Sequence, residues 1–115
     1  MPVSDTQQID KVLYDERIKE IILLMVEDRD AYSSDKQLFE LQEKFNTYIR
    51  YASEGLLGQH FPEWAGRPIS IRLEFFFAPD PESLDFLLKV EEHLKPHRIR
   101  LNTVLIDANE KSLLN

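Results

Sequence analysis

The chain has no cysteine, which excludes disulfides, thiolate metal ligands and a cysteine nucleophile, and suits a reducing cytoplasm. It has only three glycines in 115 residues, and none stands in a glycine-rich phosphate loop. Its longest apolar run, Ile21 to Val26, falls short of the roughly 18 residues that cross a bilayer. Met1 to Gln8 is polar, with no basic stretch leading into an apolar one. These absences predict a soluble, cytoplasmic protein with no membrane partner. Basic residues are scarce as well: 14 Lys and Arg against 21 Asp and Glu leave a formal charge of -7, the wrong sign to replace counterions along nucleic-acid phosphates. Such an acidic chain suits a basic protein partner, or simply stays soluble through its charge.

What is present is an ordinary globular composition, 43% hydrophobic, sized for one domain with one core. The expected layout is a flexible N-terminus over 1–8, a single domain over 9–107 and a flexible tail over 108–115. Ile9 to Asp15, the charged stretch Glu16 to Lys19 and the run Ile21 to Val26 read as a β-hairpin. Because that run is apolar at six successive positions, as a strand it shows apolar side chains to both faces of its sheet. Ser34 and Gln37 stand at capping-box spacing, and Leu38, Leu41, Phe45, Tyr48, Ile49, Ala52 and Leu56 then recur every three or four residues, predicting a long amphipathic helix. Gly55 and Gly58 suit its end, and an aromatic loop follows to Arg67. Ile69 to Phe77 alternates as a strand. Asp80, Pro81 and Glu82 open a second helix carrying Leu84, Leu87, Leu88 and Leu94, which Pro96 closes. A last strand begins at Ile99.

The order ββαβαβ predicts an α+β two-layer sandwich, a four-stranded mixed sheet with two helices. If strand order advances in one direction, right-handed crossovers put both helices on one face; if it reverses, one helix covers each face. In the first case Ile22, Leu24, Val26, Phe76, Val104 and Ile106 form an apolar second face that a homodimer or another protein would cover.

Sites that could carry chemistry are few. Asp28, Asp30, Asp80 and Asp107 fall at the carboxyl edge of the parallel strands, where such sheets bind ligands, but Asp80 is better explained as an N-cap. Arg17, Lys19, Arg67, Lys95, Arg98 and Arg100 gather at the opposite edge, where they could bind an anion but more often simply solvate the sheet end. His93 and His97 have chelating spacing that Pro96 interrupts, so no metal and no cofactor is expected. His60, Glu63 and Arg67 supply a base, an acid and an anion holder on one loop, though such loops more often pin residues like Phe61 and Trp64 into a core. Gln42, Asn46 and Arg50 share a polar stripe that is either a recognition face or a solvated one. Candidate binding residues are therefore Ile22, Leu24, Phe76, Val104 and Ile106 on the sheet, and His60, Trp64 and Arg67 on the loop; no catalytic set is assigned.

Leu41-Gln42-Glu43-Lys44-Phe45-Asn46-Thr47-Tyr48, with Glu54-Gly55, Phe61-Pro62, Gly66-Arg67 and the strand end at Phe75 to Pro79, resembles a family of small uncharacterised bacterial proteins classified only as a domain of unknown function. The likeness runs from about Ile9 to Val104, with Phe61 where a tyrosine is frequent. It implies a bacterial origin and the same order of elements, and no activity. The function expected is a non-enzymatic protein-interaction module that self-associates through its sheet. The alternatives are an immunity or antitoxin-like binder of a basic partner, and a small metal-dependent or acid/base hydrolase.

Overall fold

The computed structural model describes residue 6, residues 8–29 and residues 35–106. The Ser34 cap, Asp30, Asp107 and most of both expected terminal tails lie outside these described residues. Among the described residues four strands and three α-helices follow in order: β1 Lys11–Asp15, β2 Glu20–Glu27, α1 Asp35–Ser53, α2 Leu56–His60, β3 Ile69–Phe75, α3 Pro81–Leu94 and β4 Ile99–Leu105. The strands form one sheet in the order β1-β2-β3-β4, with β1 antiparallel to β2 and the other neighbours parallel. The α+β two-layer architecture is thus present, with strand order advancing in one direction. Right-handed crossovers then carry α1 and α3 to the same face.

Burial follows from that path. Ile21, Leu23 and Met25 of β2, Ile71, Leu73 and Phe75 of β3 and Ile99 of β4 alternate onto the covered face. There they meet Leu41, Phe45, Tyr48 and Ile49 of α1 and Leu87 and Leu94 of α3 in one core. The other face carries no helix, which excludes the reading with one helix on each face.

Three local differences from the sequence reading have physical causes. The expected aromatic loop is a short helix, α2, and a 3₁₀ turn over Pro62–Trp64; Gly55 makes the break after α1 by adopting φ 87, a left-handed conformation that costs glycine little. Leu56 therefore leaves the α1 stripe and is exposed. β3 stops at Phe75, so Phe77, expected on its buried face, is exposed with Phe76. In α3 the Asp80 carboxylate accepts the Ser83 N–H at 2.8 Å and Pro81 follows it, the expected N-cap. The sheet-facing stripe of that helix runs through Leu87, Val90 and Leu94, however, leaving Leu84 and Leu88 on its flank, 49% and 65% exposed.

Candidate functional site

Each expected site occupies a separate part of the molecule. At the carboxyl edge, Glu27 ends β2 with a buried carboxylate that receives Arg29 bidentately, Nε to Oε1 and Nη2 to Oε2, both at 2.9 Å. Arg29 also donates to Glu40 of α1. Glu27 first, then Glu40, raises the Arg29 pKa further above its already high value, so the guanidinium is fixed as a cation between two acids. The cavity here, lined by Glu27, Arg29, Gln37, Phe75, Pro79 and Ser83, measures about 20 Å³. That is room for one water, not for an organic ligand. Asp28 is exposed, Asp80 serves its cap, and among the described residues no three His, Cys, Asp or Glu side chains stand together as a metal site.

The loop triad does not assemble. His60, at the end of α2, is hydrogen-bonded through Nδ1 to the Tyr51 hydroxyl at 2.9 Å and lines a shallow groove beside Val12 of β1. Burial raises the Tyr51 pKa. Arg67 lines a different groove of about 210 Å³ with Leu57 and Gly58, while exposed Glu63 lines neither. Between the two grooves Trp64 stacks on Phe61 at 4.5 Å and on Tyr14 of β1 at 4.7 Å, with ring planes within 9°. The loop is thereby an aromatic lid over β1, and Trp64 acts in it as packing.

The face without helices differs from the apolar surface expected of it. Its rows read Ile22–Ser70–Arg100, Leu24–Arg72–Asn102 and Val26–Glu74–Val104 from β2 to β4, with Phe76 and Ile106 beyond. Counting only the apolar positions of β2, β3 and β4 made the face look continuous; Ser70, Arg72 and Glu74 of β3 and Arg100 and Asn102 of β4 interrupt it. Arg72 donates to Glu74, and Arg100 reaches from β4 across β3 to buried Glu20 of β2, passing over Ser70, which is fully buried. Long charged side chains lay their stems over the sheet, and Ile22, Leu24, Val26, Val104 and Ile106 are left only half-exposed.

Between α1 and α3 a groove of about 270 Å³ has Phe45, Ile49, Phe86 and Val90 as its floor and Gln42, Asn46, Lys89 and His93 on its rim. Arg50, third member of the expected polar stripe, is exposed beyond the groove lining. His93 and His97 sit with ring centroids 6.2 Å apart.

One arrangement was missed altogether. Lys44 of α1 and Asp10, just before β1, form an ion pair at 2.6 Å with side chains 0% and 2% exposed. Asp10 also accepts the Val26 N–H at 2.9 Å, beyond the last β2 residue that β1 pairs, while its own N–H donates to the Tyr48 hydroxyl at 2.9 Å. That hydroxyl in turn donates to the Leu24 carbonyl. Burial, ahead of the Asp10 charge, raises the Tyr48 pKa well above the ordinary tyrosine value. A lysine between Leu41 and Tyr48 on the apolar stripe of α1 was the available signal; nothing local marks Asp10.

The two outer strands differ most in what they leave unpaired. In β4 the Ile106 N–H donates to the Phe75 carbonyl, so by alternation Arg100, Asn102 and Val104 turn their backbone groups toward β3. Ile99, Leu101, Thr103 and Leu105 turn theirs outward, where no strand pairs them among the described residues. Leu105 itself is exposed, and so are Leu84 and Leu88 of α3, the helix that packs on β4, on the side turned from the groove toward α1.

A family model for a family of unknown function, DUF6572, matches residues 1–107. The chain belongs to that family. No match was found among curated proteins or among solved structures. Membership of DUF6572 agrees with the resemblance to a family of unknown function and brings no activity with it. Among the described residues no helix is long and apolar enough to cross a membrane.

Proposed function

We propose that this DUF6572 protein is a non-enzymatic, cytoplasmic protein-interaction module that works through its sheet, with β4 as the docking edge. The observation that carries the reading is the row of outward N–H and C=O groups on β4, seven residues long and without a proline or a central charge, with Leu105 exposed on it and Leu84 and Leu88 exposed on the helix packed against it. Such an edge is a ready template for an added strand, and unmodified edges of this kind are rare on isolated domains. The expected homodimer through the sheet keeps its place in this reading, with contact moved from the open face to the edge. The open face supports it less, because its own Arg72, Glu74 and Arg100 shelter its apolar residues.

The hydrolase alternative loses its geometric basis with His60 and Arg67 in different grooves. The immunity-like alternative rests on the charge of -7 and gains nothing further from the fold.

Residue-resolved amide exchange on dilute protein tests the docking edge. The N–H groups of Leu101, Thr103 and Leu105 are expected to exchange far faster than those of Asn102 and Val104, which bond to β3. Equal protection of both sets at every dilution would mean that the chain closes its own edge, and the reading would fall.

A further inference from the structure

This inference rests on the reading of β4 as a docking edge and names its occupant. We infer that the strand added to β4 is β4 of a second copy, antiparallel about a two-fold axis through Asn102, giving one continuous eight-stranded sheet.

The register follows from which groups are free. Outward residues of β4 are Ile99, Leu101, Thr103 and Leu105, and an antiparallel partner must set outward residues opposite outward residues. Centring the pair on Asn102 does so over the full length of the strand: Leu101 faces the partner's Thr103, and Ile99 faces the partner's Leu105. Every outward N–H and C=O then has a partner, whereas a shift of the centre to Leu101 or Thr103 strands groups at the ends. Asn102 itself turns its backbone to β3, so it meets its copy as a non-hydrogen-bonded pair, the closer kind between side chains.

The side chains agree with this register. On the helix side it brings Ile99 against Leu105 and Leu101 against Thr103, apolar or β-branched pairs favoured between strands. On the open side it brings Asn102 against Asn102, whose amides are both donor and acceptor, and Arg100 against Val104. No like charges are set opposite each other, and Arg100 remains available to Glu20. The two α3 helices, each packed on its β4, fall on one face of the shared sheet, and their sides turned from α1 carry the exposed Leu84 and Leu88 that a second copy would cover. A self-complementary strand with apolar residues beside it fits a two-fold contact in which one patch meets itself. A heterologous strand would have no reason to match this symmetry.

The absence of cysteine makes the test direct. Asn102→Cys is expected to cross-link into a covalent dimer under mild oxidation, while Ile18→Cys, on the exposed β1–β2 turn, stays monomeric. Thr103→Pro removes an outward N–H without touching the ladder to β3 and should weaken dimerisation about 100-fold or more. In a mixed-label NMR sample of the unmodified protein, contacts from Leu101 to the partner's Thr103 are expected, a readout that needs no substitution. A protein that stays monomeric at high micromolar concentration with freely exchanging outward β4 amides overturns the second copy as occupant and leaves the docking edge standing. Protected amides in that monomer overturn both. A dimer lacking the Leu101–Thr103 contacts, or one cross-linked only through Ile18→Cys, overturns this register.

Discussion

The two edges of this sheet are built from the same kind of backbone and treated in opposite ways. β1 has five residues against seven in β4, bears Lys11 and Asp15 at its ends, and runs into the charged turn Glu16 to Lys19. Where β1 falls short of β2, the Asp10 carboxylate takes the Val26 N–H and the Tyr48 hydroxyl serves the Leu24 carbonyl, so side chains replace the missing strand. Over its covered side lies the Tyr14–Trp64–Phe61 stack. Short length, charge and cover are the devices by which folded proteins keep an edge from pairing. Among the described residues β4 uses none of them across its centre. One edge is closed at the expense of burying an ion pair, and the other keeps its outward backbone groups unpaired among those residues.

The largest expected effect breaks the closed edge. Asp10→Ala removes the carboxylate that meets Lys44 in a fully buried position and the acceptor for Val26, so stability should fall by about 3–5 kcal/mol in denaturant melts. Asp10→Asn combined with Lys44→Met removes both charges, keeps an acceptor and should recover a good part of that loss. A loss under about 1 kcal/mol for Asp10→Ala would show that solvent reaches Lys44 and that the edge is not locked by the pair. Next comes the lid. Trp64→Ala removes the central ring of the stack and should cost about 2–3 kcal/mol, below the range for a fully buried Trp because this one is only half-buried. The same variant should expose β1 and give that edge a tendency to associate. A stable Trp64→Ala protein that gains no association through β1 would assign the protection of β1 to length and charge alone.

How far the sequence could be read followed from the range of the forces involved. Periodicity, capping chemistry at Asp80 and the Pro96 stop are local, and they sufficed for the element order and the two-layer sheet. Strand order was not local, and the two-sided run at Ile21 to Val26 was compatible with helices on one face or both. What resolved it is a forward path in which Arg72, Glu74 and Arg100 shelter the second face in place of a helix. The Asp10–Lys44 pair joins residues 34 apart, and only the oddity of a lysine in an apolar stripe hinted at it. Leu84 and Leu88 repeat at a helical spacing that looks like core; their exposure depends on where α3 lies over the sheet, which no pattern within the helix encodes.

The smallest effect sharpens the contrast through pH. Tyr48→Phe deletes the hydroxyl that receives the Asp10 N–H and donates to the Leu24 carbonyl, and at neutral pH should cost about 1–2 kcal/mol. Burial, then the Asp10 charge, raises the folded-state Tyr48 pKa above the ordinary value of 10.0. Above that pH the unfolded tyrosine releases its proton while the folded one retains it, so the unfolded state binds fewer protons and stability must fall with rising pH. The contribution is fully present below pH 10 and is lost as pH climbs toward the raised folded value. The Phe variant lacks that titration, so the stability gap between it and the wild type should narrow progressively above pH 10. At β4, by contrast, Thr103→Pro alters no titrating group, and its melts compared with wild type as monomers should run parallel over the same range. Parallel curves for Tyr48→Phe as well would place the hydroxyl in contact with solvent, and the closed edge would then owe its closure to the Asp10–Lys44 pair and the aromatic lid without Tyr48.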